Sequence, residues 1–353
     1  MSAPDASQSG ATTPSTLVDP FAHYADRLKI RLRTDARLLS NSEIQTFKRC
    51  RRKWWLAWHR GLRARRERAV GPRAIGDRIH RALACHYVAD GEQRLDARDA
   101  LERFIKDDIT DILKAHEDLE DETRAQLAKE LNRDADLERA MIEGYLQWIE
   151  ETGEDANLIV LGAEMYEEAP LPSLTGRGGV PVYIIAKMDA RVRRVTDAAI
   201  LFIDHKTVGD FTQKTLTLKM DEQMLWYDII ETLNAVPVGD RSAGALFNML
   251  RRVKRTMKAK PPFYMRLEVR HNRYEIESFY VRLYGVIQEI LRTEARLDAG
   301  GNHHQIAYPT PSPNCTWDCD YFTICPLFDD GSRVEAMIET YFTAGNPLAY
   351  YEK

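Results

Sequence analysis

The stretch that decides the fold runs from Val182 to Thr207, VYIIAKMDARVRRVTDAAILFIDHKT. Two apolar β-type runs, YIIAKMD and AAILFIDHK, end in the acids Asp189 and Asp204, and Lys206 follows the second. An unpaired charge is costly to bury, so acids closing two buried strands point to a metal or catalytic site. Side chains two apart in a strand share a face, so Asp204 and Lys206 project together while His205 points away. A hairpin turning near Arg193 to Ala198 brings Asp189 beside Asp204. Two carboxylates and an ammonium on one patch suit a hard divalent cation and the activation of water for phosphodiester hydrolysis. Asp-x-Lys alone is a weak signal that a surface hairpin with an incidental ion pair also produces, so the surrounding residues carry the weight.

The chain has 353 residues, enough for one large domain or two smaller ones. It is 44% hydrophobic and 29% charged, the balance of a globular protein. No apolar run approaches the roughly 20 residues of a membrane span, so no membrane role is expected. The opening MSAPDASQSGATTPSTLVDP has neither a basic start nor an apolar core, which argues against a signal peptide. Its composition predicts a disordered leader over residues 1–37, and a cytoplasmic location is the expectation.

A formal net charge of −4 conceals an uneven distribution. Lys48 to Arg68 carries ten Lys or Arg against one Glu, and Arg251 to Arg273 carries nine against one. Acids concentrate between Asp96 and Glu154. Basic patches on an acidic body fit a groove for a phosphate backbone, with solvated helix faces as the alternative. Arg51, Arg52, Lys53, Arg251, Arg252 and Lys254 are the contacts expected from them. Trp54, Trp55 and Trp58 are either core anchors or stacking platforms for bases.

Hydrophobic period and capping signals predict a helix over Leu38 to Leu62, with capping-box spacing at Ser40 and Glu43 and a stop at Gly61. A second helix is expected from Pro72 to Val88, then a two-helix acidic insertion over Ala97 to Glu151 broken near Glu117 to Asp121. Strands follow from Leu158, then the opening pair. Leu216 to Leu233 reads as helix, Ala243 to Arg252 and Phe263 to Val269 as strands, Tyr274 to Leu297 as a long helix, and Arg333 to Phe342 as a short one. This order predicts an α/β fold with helices packed on a central mixed sheet.

Further residues join the acids. Glu164 ends the apolar run LIVLGAE, with Glu167 and Glu168 as competitors. Gln223 and Tyr227, four apart in DEQMLWYDII, share a helix face. His80 lies on the second helix. Cys315, Cys319 and Cys325 form C-x3-C-x5-C, while Cys50 and Cys85 stand far upstream. Three clustered thiols in a cytosolic chain favour a metal centre over disulfides, and the C-x2-C knuckles usual for zinc are missing. An iron–sulfur cluster needs a fourth thiolate, for which Cys50 is the choice, because Cys85 sits in an apolar run.

Taken together these residues resemble the PD-(D/E)xK nuclease superfamily, in its RecB-like branch with an iron–sulfur cluster, which includes the AddB nuclease domain and CRISPR-associated RecB-type exonucleases. The resemblance spans roughly Leu39 to Leu327. SNSEIQTFKRC is similar to the family's opening helix, His80 after Gly76 to its helical histidine, and Glu164 to its first-strand acid. Asp189 falls on the motif aspartate, Asp204 and Lys206 on (D/E)-x-K, Gln223 and Tyr227 on Q-x-x-x-Y, and Cys50, Cys315, Cys319 and Cys325 on the cluster ligands. The chain departs in having Ala186 where the family has Gly, and in the three residues between Cys315 and Cys319.

The resemblance implies a restriction-endonuclease-like core at 156–300 within a single domain at 38–345. An N-terminal helical part covers 38–155, a C-terminal cysteine-cluster loop 308–330, and a tail 346–353. It implies a metal-dependent deoxyribonuclease, an exonuclease preferring single-stranded or free-ended DNA, in recombination, repair or phage DNA processing. The alternatives are a catalytically silent DNA-binding subunit of a recombination or CRISPR adaptation complex, and a structural zinc protein. Asp189, Asp204, the His205 carbonyl and His80 would hold Mg²⁺ or Mn²⁺, and Cys50, Cys315, Cys319 and Cys325 a [4Fe-4S] cluster. Glu164, Lys206, Gln223 and Tyr227 complete the expected catalytic set, and Trp54 would join the basic patches in gripping a strand. No G-x-x-x-x-G-K is present, so a helicase, recombinase or CRISPR adaptation partner, or further copies of the chain, are the expected associates.

Overall fold

In a computed structural model describing residues 30–66 and 69–352, the chain enters the fold on a strand rather than a helix. Strand β1 (Arg37–Ser40) precedes helix α1 (Asn41–Arg49), so the helix predicted from Leu38 begins three residues later. Ser40 caps α1 by accepting the Glu43 amide at 3.2 Å. The capping box is only half formed, because the Glu43 carboxylate accepts the Trp54 indole N–H at 3.0 Å and pairs with Arg37. The backbone breaks at Cys50, runs helically over Arg51–Trp54, widens into a π-turn at Trp55–His59, and leads to β2 (Leu62–Ala64). Most of the expected disordered leader, residues 1–29, lies outside the described residues. Its end is ordered: Leu32 is buried with Leu38, Ile185 and Tyr351.

Helices α2 (Pro72–His86), α3 (Ala97–Ala115) and α4 (Asp121–Thr152) follow the predicted pattern, with the break at the predicted place. Then come β3 (Leu158–Thr175), β4 (Pro181–Arg194) and β5 (Ile200–Val208). The helix expected over Leu216 to Leu233 is two, α5 (Phe211–Thr217) and α6 (Glu222–Leu233). The Asp221 side chain restarts the second by accepting the Gln223 amide at 3.0 Å. Strands β6 (Ser242–Arg251) and β7 (Tyr264–Val269), helix α7 (Arg273–Asp298), helix α8 (Val334–Tyr341) and β8 (Phe342–Ala344) complete the chain, with β8 pairing to β2.

The main sheet is mixed and has six strands, as the sequence predicts in kind. β3 runs antiparallel along one edge of β4. The other edge is shared: β1 pairs in parallel with Val182 to Ile185, and β5 pairs antiparallel with Ala190 to Arg193. β5 leaves β4 after Ile203 and continues beside β6 through Asp204 to Val208. A notch therefore opens along residues 186–189 of β4. Helix α6 lies across it, with the Trp226 indole donating to the Ile185 carbonyl at 3.0 Å and the Tyr227 hydroxyl to the Lys187 carbonyl at 3.3 Å.

Two cores sandwich this sheet. One gathers Phe47, Trp54, Phe202, Trp226, Ile230, Phe279 and Ile287, the other Ile79, Leu83, Leu101, Tyr145, Leu201 and Ile203. Burial of this apolar surface is the main driving force of the fold. Among the described residues no helix is long and apolar enough to cross a membrane.

Candidate active site

The β4–β5 hairpin turns over residues 195–199, and its last paired residues are Ala190 and Ile203. One step further on, Asp189 and Asp204 stand opposite each other at the notch. The His205 amide donates to Asp189 Oδ2 at 2.7 Å. The Lys206 ammonium lies 2.9 Å from Asp204 Oδ1 and donates to Gln223 Oε1 at 2.9 Å. Gln223 Nε2 in turn donates to the Tyr227 hydroxyl at 2.7 Å. One chain of hydrogen bonds thus runs from Asp204 through Lys206, Gln223 and Tyr227 to the backbone of Lys187.

His80 Nδ1 reaches to 3.4 Å from Asp189 Oδ2. Gly76, one turn earlier on α2, allows that approach: a Cβ there would stand 3.3 Å from Thr207 Oγ1 on β5. Glu164 falls opposite Asp189 in the β3–β4 register, between the pairs Ala163–Ala190 and Met165–Met188. Its φ of 50° is a left-handed value, a strained conformation for a residue with a Cβ. Its carboxylate meets the Lys187 ammonium at 2.6 Å, both side chains being buried. Of the competitors, Glu168 is engaged with the Tyr166 hydroxyl and Arg33, and Glu167 has Arg191 as its charged neighbour. Glu164, unlike Glu167, senses Asp189 and His80.

Burial pushes the Asp204 carboxyl up to about 6, and the Asp189 charge adds to this against the pull of Lys206. Asp189 moves the other way: burial opposes its ionisation, but His80, His205 and Lys206 hold it below the usual carboxylate range. Like charges so close drive two acids apart in this way. His80 and Lys206 are both raised, since their acidic neighbours outweigh burial. Burial raises Glu164, helped by Asp189 and opposed by Lys187. His205 is pressed down to about 3 by burial and stays neutral. Its ring points away from the acids toward Asn248, with Nδ1 and the amide nitrogen 2.8 Å apart.

Among the described residues no group of three or more His, Cys, Asp or Glu side chains is arranged to hold a metal ion. Lys206 and His80 neutralise the acids instead. Asp204 Oδ2 is nevertheless buried and accepts no directed hydrogen bond, although the Lys206 ammonium is 2.8 Å away. Asp189 and Asp204 are the kind of oxygen donors that a hard divalent cation takes, and the His80 imidazole lies beside Asp189 rather than completing a set of three around Asp204 Oδ2.

Several lining residues carry no signal in the sequence. Asn41, Ser42, Lys187, Tyr350 and Tyr351 share the cleft with His80, Asp189, Asp204, Lys206, Gln223 and Tyr227. Its volume of about 210 Å³ is below the roughly 300–1,000 Å³ of small-ligand pockets, so it suits the reacting part of a larger substrate. Lys187 is two residues before Asp189, a spacing that could have drawn attention; the tyrosines are distant in sequence.

The first basic patch needs correction. Trp54 is buried with its indole on Glu43, and Arg52 is 1% exposed with its guanidinium on Asp329 and the Cys325 carbonyl, so neither presents itself to a strand. Arg51 lies over the Phe47 ring and pairs with Glu289, while Lys53 donates to the Asp318 carbonyl. Arg52 and Lys53 fasten the N-terminal helices to the cysteine loop, and Arg51 fastens them to α7. In the second patch Arg251 and Arg252 donate to the carbonyls of Lys260 and Thr207, and Lys254, Met257, Lys258 and Lys260 are exposed.

The four expected cluster cysteines are half-buried free thiols in this region, and Cys85 is buried elsewhere. Cys50 Sγ accepts the amides of Lys53 and Thr310 at 3.4 and 3.5 Å, and Cys315 Sγ accepts that of Ser312 at 3.3 Å. Cys50 is close enough to Cys319 and Cys325 for its charge to raise both thiols, on top of the larger effect of their burial.

The chain has no match among curated proteins. The sequence model of the PD-(D/E)XK nuclease superfamily matches residues 38–326, which takes in all but the first residue of β1, all the acids of the notch and the three C-terminal cysteines. With its mixed sheet flanked by helices and Asp189, Asp204 and Lys206 gathered at one notch, the chain belongs to the PD-(D/E)XK nuclease superfamily.

Proposed function

We propose that the protein is a divalent-metal-dependent deoxyribonuclease acting on single-stranded or free-ended DNA, as an exonuclease in recombination, repair or phage DNA processing. The observation that carries this reading is Lys206, fixed between Asp204 and Gln223 beside a second buried acid, Asp189. Asp189, Asp204 and His80 would hold the cation, with the His205 carbonyl as a further ligand. A bound Mg²⁺ or Mn²⁺ supplies Lewis acidity toward the phosphate and lowers the pKa of water. Lys206 keeps its proton through its acidic neighbours, so its ammonium can balance charge that develops on a phosphate in the cleft. Gln223 and Tyr227 set the position of that ammonium, and Glu164 holds the cleft-lining Lys187 by an ion pair. Exposed Lys254, Lys258 and Lys260 would track the backbone of the strand. Duplex substrates would need a separate motor.

Digestion of end-labelled and circular single strands with Mn²⁺ tests the reading. Asp204→Ala should abolish cleavage while DNA binding persists. A variant that still cuts at the wild-type rate overturns the assignment, and equal attack on circles removes the exonuclease part.

Cys50, Cys315, Cys319 and Cys325 further support an iron–sulfur cluster that ties the N-terminal helices to the C-terminal loop. Amides aimed at Cys50 and Cys315 are the hydrogen bonds that cluster-ligating sulfurs accept. Brown protein with about four irons per chain is expected for a [4Fe-4S] centre. Colourless protein containing zinc would refute it.

A further inference from the structure

The segment after β8 belongs to the cleft. Residues Ala349–Glu352 form a single 3-10 turn, braced by Asn346, whose side chain accepts the Leu348 amide and donates to Glu352. Tyr351 anchors the turn: it is buried against Leu32, Leu38 and Ile185, and its hydroxyl is within hydrogen-bonding reach of Ser40 and Ser42 at the start of α1. The neighbouring Tyr350 is thereby held at the mouth of the notch. Its ring stands edge-on to Tyr351, at 86° with centroids 5.3 Å apart, and the Lys187 ammonium lies 5.2 Å from its centroid. Tyr350 remains 52% exposed.

This arrangement is unusual in three respects. A large aromatic side chain is left half in solvent although a buried neighbour fixes its backbone. The lining around it is otherwise rich in charged and polar groups: His80, Lys187, Asp189, Asp204, Lys206 and Gln223. The ring also packs beside the Lys187 ammonium, which is itself held in a buried pair with Glu164. A half-exposed ring at the mouth of the notch and the Lys206 ammonium within it match the two parts of a nucleotide, its flat base and its charged backbone. Stacking on an aromatic ring needs an unpaired base, because the faces of bases in a duplex are already covered.

We propose that Tyr350 is a stacking platform for a nucleobase next to the scissile phosphate, which gives the site a preference for unpaired strands. This rests on the nuclease reading. Stacking of a base on an aromatic ring contributes about 1–3 kcal/mol, or roughly 5- to 150-fold in affinity. Tyr350 acts on binding, so its loss should fall on KM and leave kcat nearly unchanged.

The test uses the full chain and a 12-nucleotide single strand in which 2-aminopurine is moved one position at a time. In an Asp204→Asn background, which removes turnover, one position should show strong quenching on binding. Tyr350→Leu should abolish that quenching, while Tyr350→Phe and Tyr350→Trp keep it. In the otherwise wild-type protein, Tyr350→Leu should raise KM for the single strand at least fivefold with kcat within twofold. An abasic residue at the quenched position should reproduce the effect in wild type and add nothing in Tyr350→Leu. If wild type cleaves and Tyr350→Leu matches it in KM and quenching, the platform is refuted and the nuclease reading stands. If no nucleic acid is cleaved, the nuclease reading fails, and the quenching measurement still decides whether Tyr350 stacks on a base.

Discussion

The backbone amide of His205 donates to Asp189 Oδ2 at 2.7 Å, at the point where β5 parts from β4. In a continuing ladder that amide would face the neighbouring strand. Here a side-chain carboxylate takes the place of the missing strand partner, and a buried N–H is satisfied. The same bond fixes Asp189 relative to Asp204 and Lys206, so backbone register rather than a free rotamer sets the spacing of the two acids.

Gln223→Ala removes both the acceptor for Lys206 and the donor to Tyr227. Single-turnover cleavage should slow by about 10- to 100-fold, because the ammonium loses its fixed position. Tyr227→Phe leaves the Lys206–Gln223 bond intact and should slow cleavage less than tenfold. The reverse order of effects would contradict the relay.

Arg52→Ala takes the guanidinium from Asp329, which keeps only His304, and from the Cys325 carbonyl, and it opens a cavity under the cysteine loop. A loss of about 3 kcal/mol is expected in urea unfolding, at the low end for a broken pair because Asp329 is half exposed. DNA affinity measured well below the unfolding midpoint should stay within twofold, as befits a structural arginine.

Lys258→Ala with Lys260→Ala should do the opposite. Stability should stay within about 0.5 kcal/mol, since both side chains are on the surface. The slope of log K against log salt for single-stranded DNA should shrink by about 0.7 for each phosphate that is no longer neutralised. An unchanged slope would place the strand elsewhere.

Acid should destabilise the fold through His86. Burial, with the Arg94 guanidinium beside its ring, presses its pKa down to about 4, against about 6.5 in an unfolded chain. Between those values the unfolded chain binds a proton that the folded one refuses, so stability falls as pH drops from about 6.5 and levels off below about 4. The limit is about 3 kcal/mol. His86→Phe should lose less stability than wild type between pH 7 and 5, read from urea midpoints at each pH; parallel losses would exclude this origin.

What the sequence reveals and what it conceals differ in range. Asp204 with Lys206, and Gln223 with Tyr227, are legible because two-residue and four-residue periods place each pair on one face before any tertiary structure exists. The break between α3 and α4 and the hairpin beyond Asp189 are equally local. β1 reads as helix in the sequence because four residues, RLLS, carry no period of their own; pairing with β4 makes them a strand. The first basic patch misleads because charge density along a chain does not show which charges meet distant partners. Arg52 finds Asp329 and Trp54 finds Glu43 only in the folded protein. Tyr350 is silent in the sequence for the same reason: its role depends on a cleft that five other segments line.

The shared edge of β4 has an evolutionary consequence. The open stretch of four residues between Ile185 and Ala190 is about 13 Å long, at about 3.3 Å per residue. Its width is set on one side by where β1 stops, not by the strands that carry the acids. One residue added to the pairing of β1 would narrow the entrance by one rung and leave Asp189, Asp204 and Lys206 where they are. The bore of the site can thus drift in small steps, independently of its chemistry.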